Sequence, residues 1–418
     1  MGVETDTQSA VEMRPKSRWL NRTVLGAGIT SALGDFCYET TNAILPGFFA
    51  VLGIPAAALG AVEGIADAIS SFTKIGAGYF ADRLGHRKTL VVIGYALTPL
   101  GQTAIALALG WPMILLGRAV GWFGKGIRGP LRDAIVAEAI TPETRGRAFG
   151  FHRAADTLGA VVGPLLGVAL LSYAQSLRLD DPSQAFRLVL WLAIVPGVLS
   201  MLSFALLVKD DESRPNPALR FWATVGRFPA DFRRYLAAVG IFGIGDFSHA
   251  LLILAATDLL TPGMGVLRAA QIAASLYIAR NVVQTIASYP IGVAADRIGH
   301  RGVLLVGYAL GVVVAALMVL AFALRIESVW LLGGVFSLAG LYVAVQEALE
   351  PSLTAGLVPE DVRGVAYGFL GSVNGVGKLV SSVAVGFLWT AVSPAAGFGL
   401  AAALMAAGTL ALMRVRAS

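Results

Sequence analysis

One cysteine, Cys37, stands in the whole chain, which excludes an internal disulfide and any cage of several cysteines around a metal. Charge is sparse as well: Asp, Glu, Lys and Arg make up 14% of 418 residues, against roughly a quarter in a soluble globular domain. The first 20 residues are polar and hold no apolar core ahead of a small-residue cleavage site, so no cleaved signal peptide is expected. A Gly-Lys-Ser/Thr phosphate loop, a metalloprotease histidine pair and a G-x-S-x-G nucleophile elbow are all missing. ATP is therefore not the expected energy source, and neither an enzyme nor a resident cofactor is expected.

What the chain has instead is apolar length. Hydrophobic residues make up 56% of it, and 49 glycines suit helices packed closely in a bilayer. A crossing helix needs about 20 apolar residues. The pattern predicts about twelve, over 24–50, 58–81, 89–109, 112–139, 146–173, 184–207, 235–260, 268–295, 302–324, 328–356, 364–391 and 394–413. The expected organisation is a tail over 1–23, a six-helix bundle over 24–208, a polar linker over 209–234, a second bundle over 235–413 and a tail over 414–418. The formal charge of +6 is a topology signal rather than a nucleic-acid footprint, because the basic residues fall in short turns. One side collects Arg14, Lys16, Arg18, Arg22, Arg83, Arg87, Lys88, Arg145, Arg147, the linker, Arg297, Arg301, Arg363, Arg414 and Arg416. The other side has Arg178, Arg187, Arg268 and Arg325. By this asymmetry both termini and the linker are cytoplasmic.

The two bundles are also two copies. Asp82-Arg83-Leu84-Gly85-His86-Arg87 returns as Asp296-Arg297-Ile298-Gly299-His300-Arg301. Gly34-Asp35-Phe36 returns as Gly245-Asp246-Phe247, and Arg145-Gly146 with Ala148, Gly150 and Phe151 returns as Arg363-Gly364 with Ala366, Gly368 and Phe369. Internal symmetry in a hydrophobic chain points to a transporter.

These residues resemble the major facilitator superfamily. Gly78, Asp82, Arg83, Gly85, His86 and Arg87 fit its G-x-x-x-D-R-x-G-R-R turn between helices 2 and 3, with His86 in a basic slot, and Gly292, Asp296, Arg297, Gly299, His300 and Arg301 supply the second copy. The resemblance implies an all-α membrane protein of two pseudo-symmetric six-helix bundles. It also implies a gate in which the aspartate caps helix 11 and the basic residues meet an acid at the end of helix 4, here Glu138. Gly150, Gly159, Gly163, Pro164 and Gly167 follow G-x8-G-x3-G-P-x2-G and resemble the helix 5 motif of proton-coupled exporters. The glycines are expected to make a smooth face on which the other half pivots; ordinary small-residue packing is the alternative. Arg118, with Gly121 and Gly124 beyond it, resembles the superfamily's helix 4 arginine, which is associated with proton coupling. The following Gly124-Lys125-Gly126-Ile127-Arg128 departs from typical drug exporters.

A charge at mid-bilayer is costly, by about 2.5–3.5 kcal/mol on insertion scales, and should face a partner or a wet cavity. Spacings of seven, three and four put Arg118, Lys125, Arg128 and Arg132 on one stripe of helix 4. Two readings stand side by side. Arg132, Asp133, His152, Arg153, Asp156, Glu347 and Glu350 are candidates for structural ion pairs. Asp35, Glu39, Lys125, Arg128, Asp246 and Arg280 are candidates for coupling and binding. Asp35 and Glu39, one turn apart, suit uptake and release of a proton, with Glu63 and Asp67 as a second pair and Lys74 nearby. Asp246, His249 and Cys37 would be a weak divalent-metal set. Trp122, Tyr277 and Tyr342 are candidate cavity aromatics. The expected protein is a monomeric, proton-coupled antiporter of the bacterial inner membrane that exports a small anionic or zwitterionic organic solute. Its partners are that solute, protons and lipid. The alternatives are a proton symporter importing an organic acid, a divalent-metal exporter and a non-transporting sensor.

Overall fold

A computed structural model describes residues 19–54, 56–177, 181–209 and 221–415. The expected tail up to residue 18, the linker core 210–220 and residues 416–418 lie outside them. Among the described residues there is no strand. The first half comprises α1 (Arg22–Val51), α2 (Ala56–Leu84), α3 (Arg87–Ala106), α4 (Trp111–Glu138), α5 (Arg145–Ser176) and α6 (Pro182–Leu207). A short α7 (Phe221–Gly226) leads into the second half: α8 (Ala230–Gly243), α9 (His249–Met264), α10 (Val266–Ile298), α11 (His300–Ala323), α12 (Val329–Leu357), α13 (Arg363–Ala391) and α14 (Pro394–Leu412).

Seven of these helices are long and apolar enough by themselves to cross a membrane. The long helices outside that set, α1, α2, α4 and α10, carry Asp35 and Glu39, Asp67 and Lys74, the α4 cations, and Arg280. Most of these charges (Asp35, Glu39, Lys74, Lys125, Arg128, Arg132 and Arg280) face inward, onto the central cavity described below.

The expected seventh crossing, 235–260, is not one helix. It breaks at 244–248 into α8 and α9. The same Gly-Asp-Phe triplet runs uninterrupted through α1, so the triplet itself does not force the break; the next residue is Cys37 there and Ser248 here. Ser248 starts a new helix by accepting the Ala250 N–H on its Oγ at 3.1 Å, while its own N–H donates to Ser382 Oγ at 3.1 Å. Gly245 fits against α14, where a Cβ would come within 2.7 Å of the Ala401 carbonyl. The broken backbone is thus satisfied by neighbours, the condition for irregular chain at membrane depth.

Within the first half α1 packs on α5 and α6, and α4 on α2 and α3; in the second, α11 packs on α12 and α14, and α10 on α9 and α12. The halves meet chiefly along α5 with α10 and α2 with α13. Glycines permit both contacts at one end. A Cβ on Gly78 would strike the Gly364 carbonyl, and Cβ atoms on Gly146 and Gly292 would each strike the other's carbonyl. Gly150 meets Ser288 of α10 in the same way.

The expected pivot face on α5 is corrected here. Gly159, Gly163 and Gly167 pack on Ala32, Phe36 and Thr40 of α1, inside their own half. The reason is rotational: nine residues at 100° each put Gly159 half a turn away from Gly150. Pro164 lies within α5 and lines the cavity.

Gly292→Val should pry this end apart, because backbone on the opposite helix cannot yield as a flexible side chain can; overpacking of this kind costs about 1–3 kcal/mol. Spin labels at the exposed Glu143 and Ile298 are expected to report a longer distance in the variant. An unchanged distance distribution would contradict the close-approach account.

Candidate functional site

Two carboxylates seal the end where the halves touch. Asp82, at the last turn of α2, accepts the Val365 N–H on Oδ2 at 2.9 Å and so caps α13 in the opposite half. Asp296, at the last turn of α10, accepts the Gly146 and Arg147 N–H groups at 2.7 and 3.1 Å and caps α5. A helix N-terminus favours negative charge, and each buried carboxylate gives the first-turn amides the partners they lack. Arg87 binds Asp82 at 2.7 Å, pairs with Glu138, and reaches the Glu360 carbonyl of the other half. The second copy differs: Arg147 of α5 pairs with Asp296 at 2.8 Å, while Arg301 donates to the Met413 carbonyl. Position 356, equivalent to Glu138 by the repeat, is glycine, so Arg301 has no acid there to meet. Arg83 and Arg297 are exposed, Arg83 donating to Tyr79 Oη at 3.0 Å.

Behind this seal lies a cavity of about 850 Å³ walled by both halves. Its floor is a network of the charges read as structural. Arg153 donates to Asp133 at 3.1 Å and, across the halves, to the Glu347 carbonyl at 3.1 Å; Asp156 lies 3.6 Å from Arg153 and 3.8 Å from Arg132. Arg132 also meets Asp133 at 3.3 Å, although the two are sequence neighbours. His152 is buried and shares Ser31 Oγ at 2.8 Å. Glu347 accepts from Gln284 at 2.7 Å, and Glu350 accepts from Tyr308 at 2.7 Å and from Asn374. Away from the floor the wall runs to the exposed Leu165, Val168 and Ile278, further from the seal along α5 and α10.

Asp35, Glu39, Lys125, Arg128, Asp246 and Arg280 all line this cavity, and none of them has an ion-pair partner within 4.0 Å among the described residues. Asp35 accepts no hydrogen bond there; Glu39 accepts only from Asn42, at 3.1 Å. Asp246, set in the break of the seventh crossing, accepts from Tyr342 Oη at 2.8 Å. Lys125 Nζ sits 4.5 and 4.6 Å from the Tyr38 and Trp122 ring centres. Arg128 bonds Thr98 and lies 4.5 Å from the Tyr95 ring, and Arg280 bonds Asn281 at 2.7 Å.

Three expectations change. Arg118 is on the α4 stripe but belongs to a small side pocket rather than the main cavity. Cys37 is fully buried against Gly197 of α6, so the structure does not bring it to Asp246 and His249, whose ring stacks on Tyr277 at 4.9 Å. Glu63 lies in a stretch whose side chain is outside the described residues, and Asp67 is exposed. Sequence reasoning overlooked Lys378, a lone cation in an apolar run of α13 that lines the cavity wall. The signal used for the other membrane charges would have found it.

The wall carries seven acids (Asp35, Glu39, Asp133, Asp156, Asp246, Glu347, Glu350) and seven strong bases (Lys74, Lys125, Arg128, Arg132, Arg153, Arg280, Lys378). The α4 stripe is therefore offset by acids, and the site is not a cationic funnel.

Comparison with known proteins places this architecture. A family model described as Major Facilitator Superfamily matches residues 25–257 and 236–418. An uncharacterized MFS-type transporter of Methanocaldococcus jannaschii is 30% identical over 390 residues, 93% of this chain and 93% of that protein. A probable 4-methylmuconolactone transporter of Cupriavidus pinatubonensis is 26% identical over 375 residues, 84% of this chain and 82% of its own. The crystal structure of a bacterial homologue of the iron transporter ferroportin in its outward-facing state superposes with a TM-score of 0.74 at 14% identity, covering 94% of this chain and 98% of that one.

Asp82→Asn should weaken the α13 cap, since it keeps an acceptor and loses the charge at the helix start, a contribution of about 0.3–1 kcal/mol. Hydrogen exchange at the Val365 amide is expected to speed up about two- to fivefold, with α5 unaffected. Equal protection in the variant would remove Asp82 from the seal.

Proposed function

The chain belongs to the major facilitator superfamily and is a multi-pass membrane transporter of that fold, and from that premise we propose that it is a proton-coupled antiporter exporting a small zwitterionic organic solute. The two halves, 24–208 and 235–413, rock about the cavity by alternating access. The observation that carries the reading is the sorting of the cavity charges. Those at the floor are paired with one another. Asp35, Glu39, Lys125, Arg128, Asp246 and Arg280 face the cavity without ion pairs, leaving both signs available to a ligand.

The geometry supports the following cycle. With Asp82 and Asp296 capping helices of the opposite halves, the sealed end is closed and the cavity opens at the other. In this reading the sealed end, where Lys and Arg are in excess, is the cytoplasmic one, both termini are inside, and the membrane is the inner membrane of a bacterium; the positive-inside rule supports the orientation. Protons enter from outside and reach Asp35 and Glu39. Protonation removes the negative charge that holds a cationic group of the solute, so proton uptake and solute release are coupled. Gate opening on the cytoplasmic side then requires both helix caps, the Asp82–Arg87–Glu138 cluster and the Arg147–Asp296 pair to part together. Gly150 contributes to the cross-half contact, while Gly159, Gly163 and Gly167 hold α1, and with it Asp35 and Glu39, close to α5. Arg118 acts from the side pocket on the field at Glu39. The monomer suffices for this cycle, since both halves of the cavity come from one chain.

Balanced charge favours a zwitterion over a simple anion. The named solute of the Cupriavidus relative is an organic molecule, which agrees with an organic substrate here.

In proteoliposomes, Asp35→Asn or Glu39→Gln should abolish solute movement driven by an imposed pH gradient and spare exchange of labelled for unlabelled solute. A panel of small zwitterions and organic acids supplies the candidates, scored by saturable uptake into inside-out vesicles. If both variants respond to the gradient as the parent does, proton coupling through this pair is ruled out. Accumulation in right-side-out vesicles instead would favour import.

A further inference from the structure

We infer that Trp19, just ahead of α1, is a clasp that holds the two halves together at the sealed end and lets go when that end opens. The segment carrying it is fixed to the first half. Asn21 Oδ1 accepts the Val24 N–H at 3.0 Å and caps α1, while Asn21 Nδ2 donates to the Ala139 carbonyl, just past α4, at 2.6 Å. Arg22 donates to the Leu206 carbonyl of α6 at 2.6 Å. From this base the Trp19 ring packs edge-on against Phe151 of α5, with centres 6.1 Å apart. It also reaches Tyr289 of α10, in the second half, with centres 5.5 Å apart and planes at 30°. Both separations fall in the range of attractive aromatic pairs, about 4.5–7 Å.

The ring lies beside a close approach of the halves. A Cβ on Gly150 would strike the Ser288 carbonyl and lie 3.2 Å from Tyr289 Cα. Phe151 is seated inside the first half, since a Cβ on Gly28 of α1 would come within 2.7 Å of its ring. When α5 and α10 part, the bonds of Asn21 and Arg22 and the Phe151 contact travel with the first half. The Trp19–Tyr289 contact cannot. It is made in one state only, and such a contact biases the equilibrium toward that state. The repeat shows that the crossing is particular to one copy. Phe228, ahead of α8, packs edge-on against Phe369 of α13 at 5.6 Å, the counterpart of Trp19 on Phe151. Across that seam Gly368 approaches Ile75 Cα as Gly150 approaches Tyr289 Cα, and isoleucine offers no ring there. The inference rests on the rocking of the halves proposed above, and is independent of the direction of transport, its coupling and its solute.

The test uses the full chain in proteoliposomes, with Cys37→Ser, Glu143→Cys and Ile298→Cys to carry spin labels on either side of the seam, and pulsed electron-spin resonance to read their separation. With the clasp intact, a dominant short distance and a minor long one are expected. Trp19→Ala and Tyr289→Ala should each raise the long-to-short ratio about two- to tenfold. The double variant should go no further than either alone, because both act through one contact. Tyr289→Phe, which keeps the ring, should leave the ratio unchanged. The two Ala variants lie in different halves, so either one that folds is decisive. Two distances in an unchanged ratio, or effects that add in full, would overturn the clasp alone. A single distance at every pH in the protein with its clasp intact would overturn the rocking of the halves, and the clasp with it.

Discussion

Everything at the closed end depends on a carboxylate from one half reaching the N-terminus of a helix in the other. Asp82 and Asp296 make that contact twice, against α13 and α5, and both succeed because the first turn of the receiving helix carries glycine. A Cβ on Gly364 would sit on the Asp82 carboxylate, and one on Gly146 would come within 2.7 Å of Asp296 Oδ1. Cap, close backbone approach and glycine are thus one constraint. Each cap brings about 0.3–1 kcal/mol of dipole stabilisation beyond its hydrogen bonds.

The repeat is symmetric in sequence and unequal in structure. In the first copy the arginine of the turn is enclosed, joining Asp82, Glu138 and a carbonyl of the other half. In the second copy Arg301 turns outward to a carbonyl at the end of α14, and Arg147 takes the partner role instead. The Gly-Asp-Phe triplets diverge too. Asp35 stands on a continuous helix with no hydrogen bond among the described residues, while Asp246 sits in a break and accepts from Tyr342. The two copies therefore differ in one carboxylate without a hydrogen bond among the described residues and one held by a neighbour.

The cavity charges divide by what surrounds them. At the floor, Arg132, Asp133, Arg153 and Asp156 face one another at 3.1–3.8 Å, where desolvation is offset by mutual pairing, and they also tie α5 to α12 through Arg153. Further out, Lys125 and Arg128 rest on rings and Asp35 faces the open volume, so their desolvation is relieved by the cavity and by what enters it.

The amino-acid sequence by itself determined the twelve-crossing all-α plan, the internal repeat and the family. Apolar length, charge position and repeated letters are one-dimensional signals, and they survive without coordinates. Rotation and local breaks are three-dimensional. The glycines of α5 read as one face, yet the nine-residue step turns Gly159 toward α1, because a helix carries each residue round by 100°. Arg118 shares a stripe with Lys125 but ends in a side pocket, since α1 and α3 cover that part of α4. The seventh crossing breaks at Asp246, where Ser248, in the place that Cys37 takes in α1, caps α9 through the Ala250 N–H, and where packing brings Ser382 Oγ to accept the Ser248 N–H. Which end is closed was likewise beyond the sequence, because one chain must form both states and only the tertiary contacts of Asp82 and Asp296 select one of them.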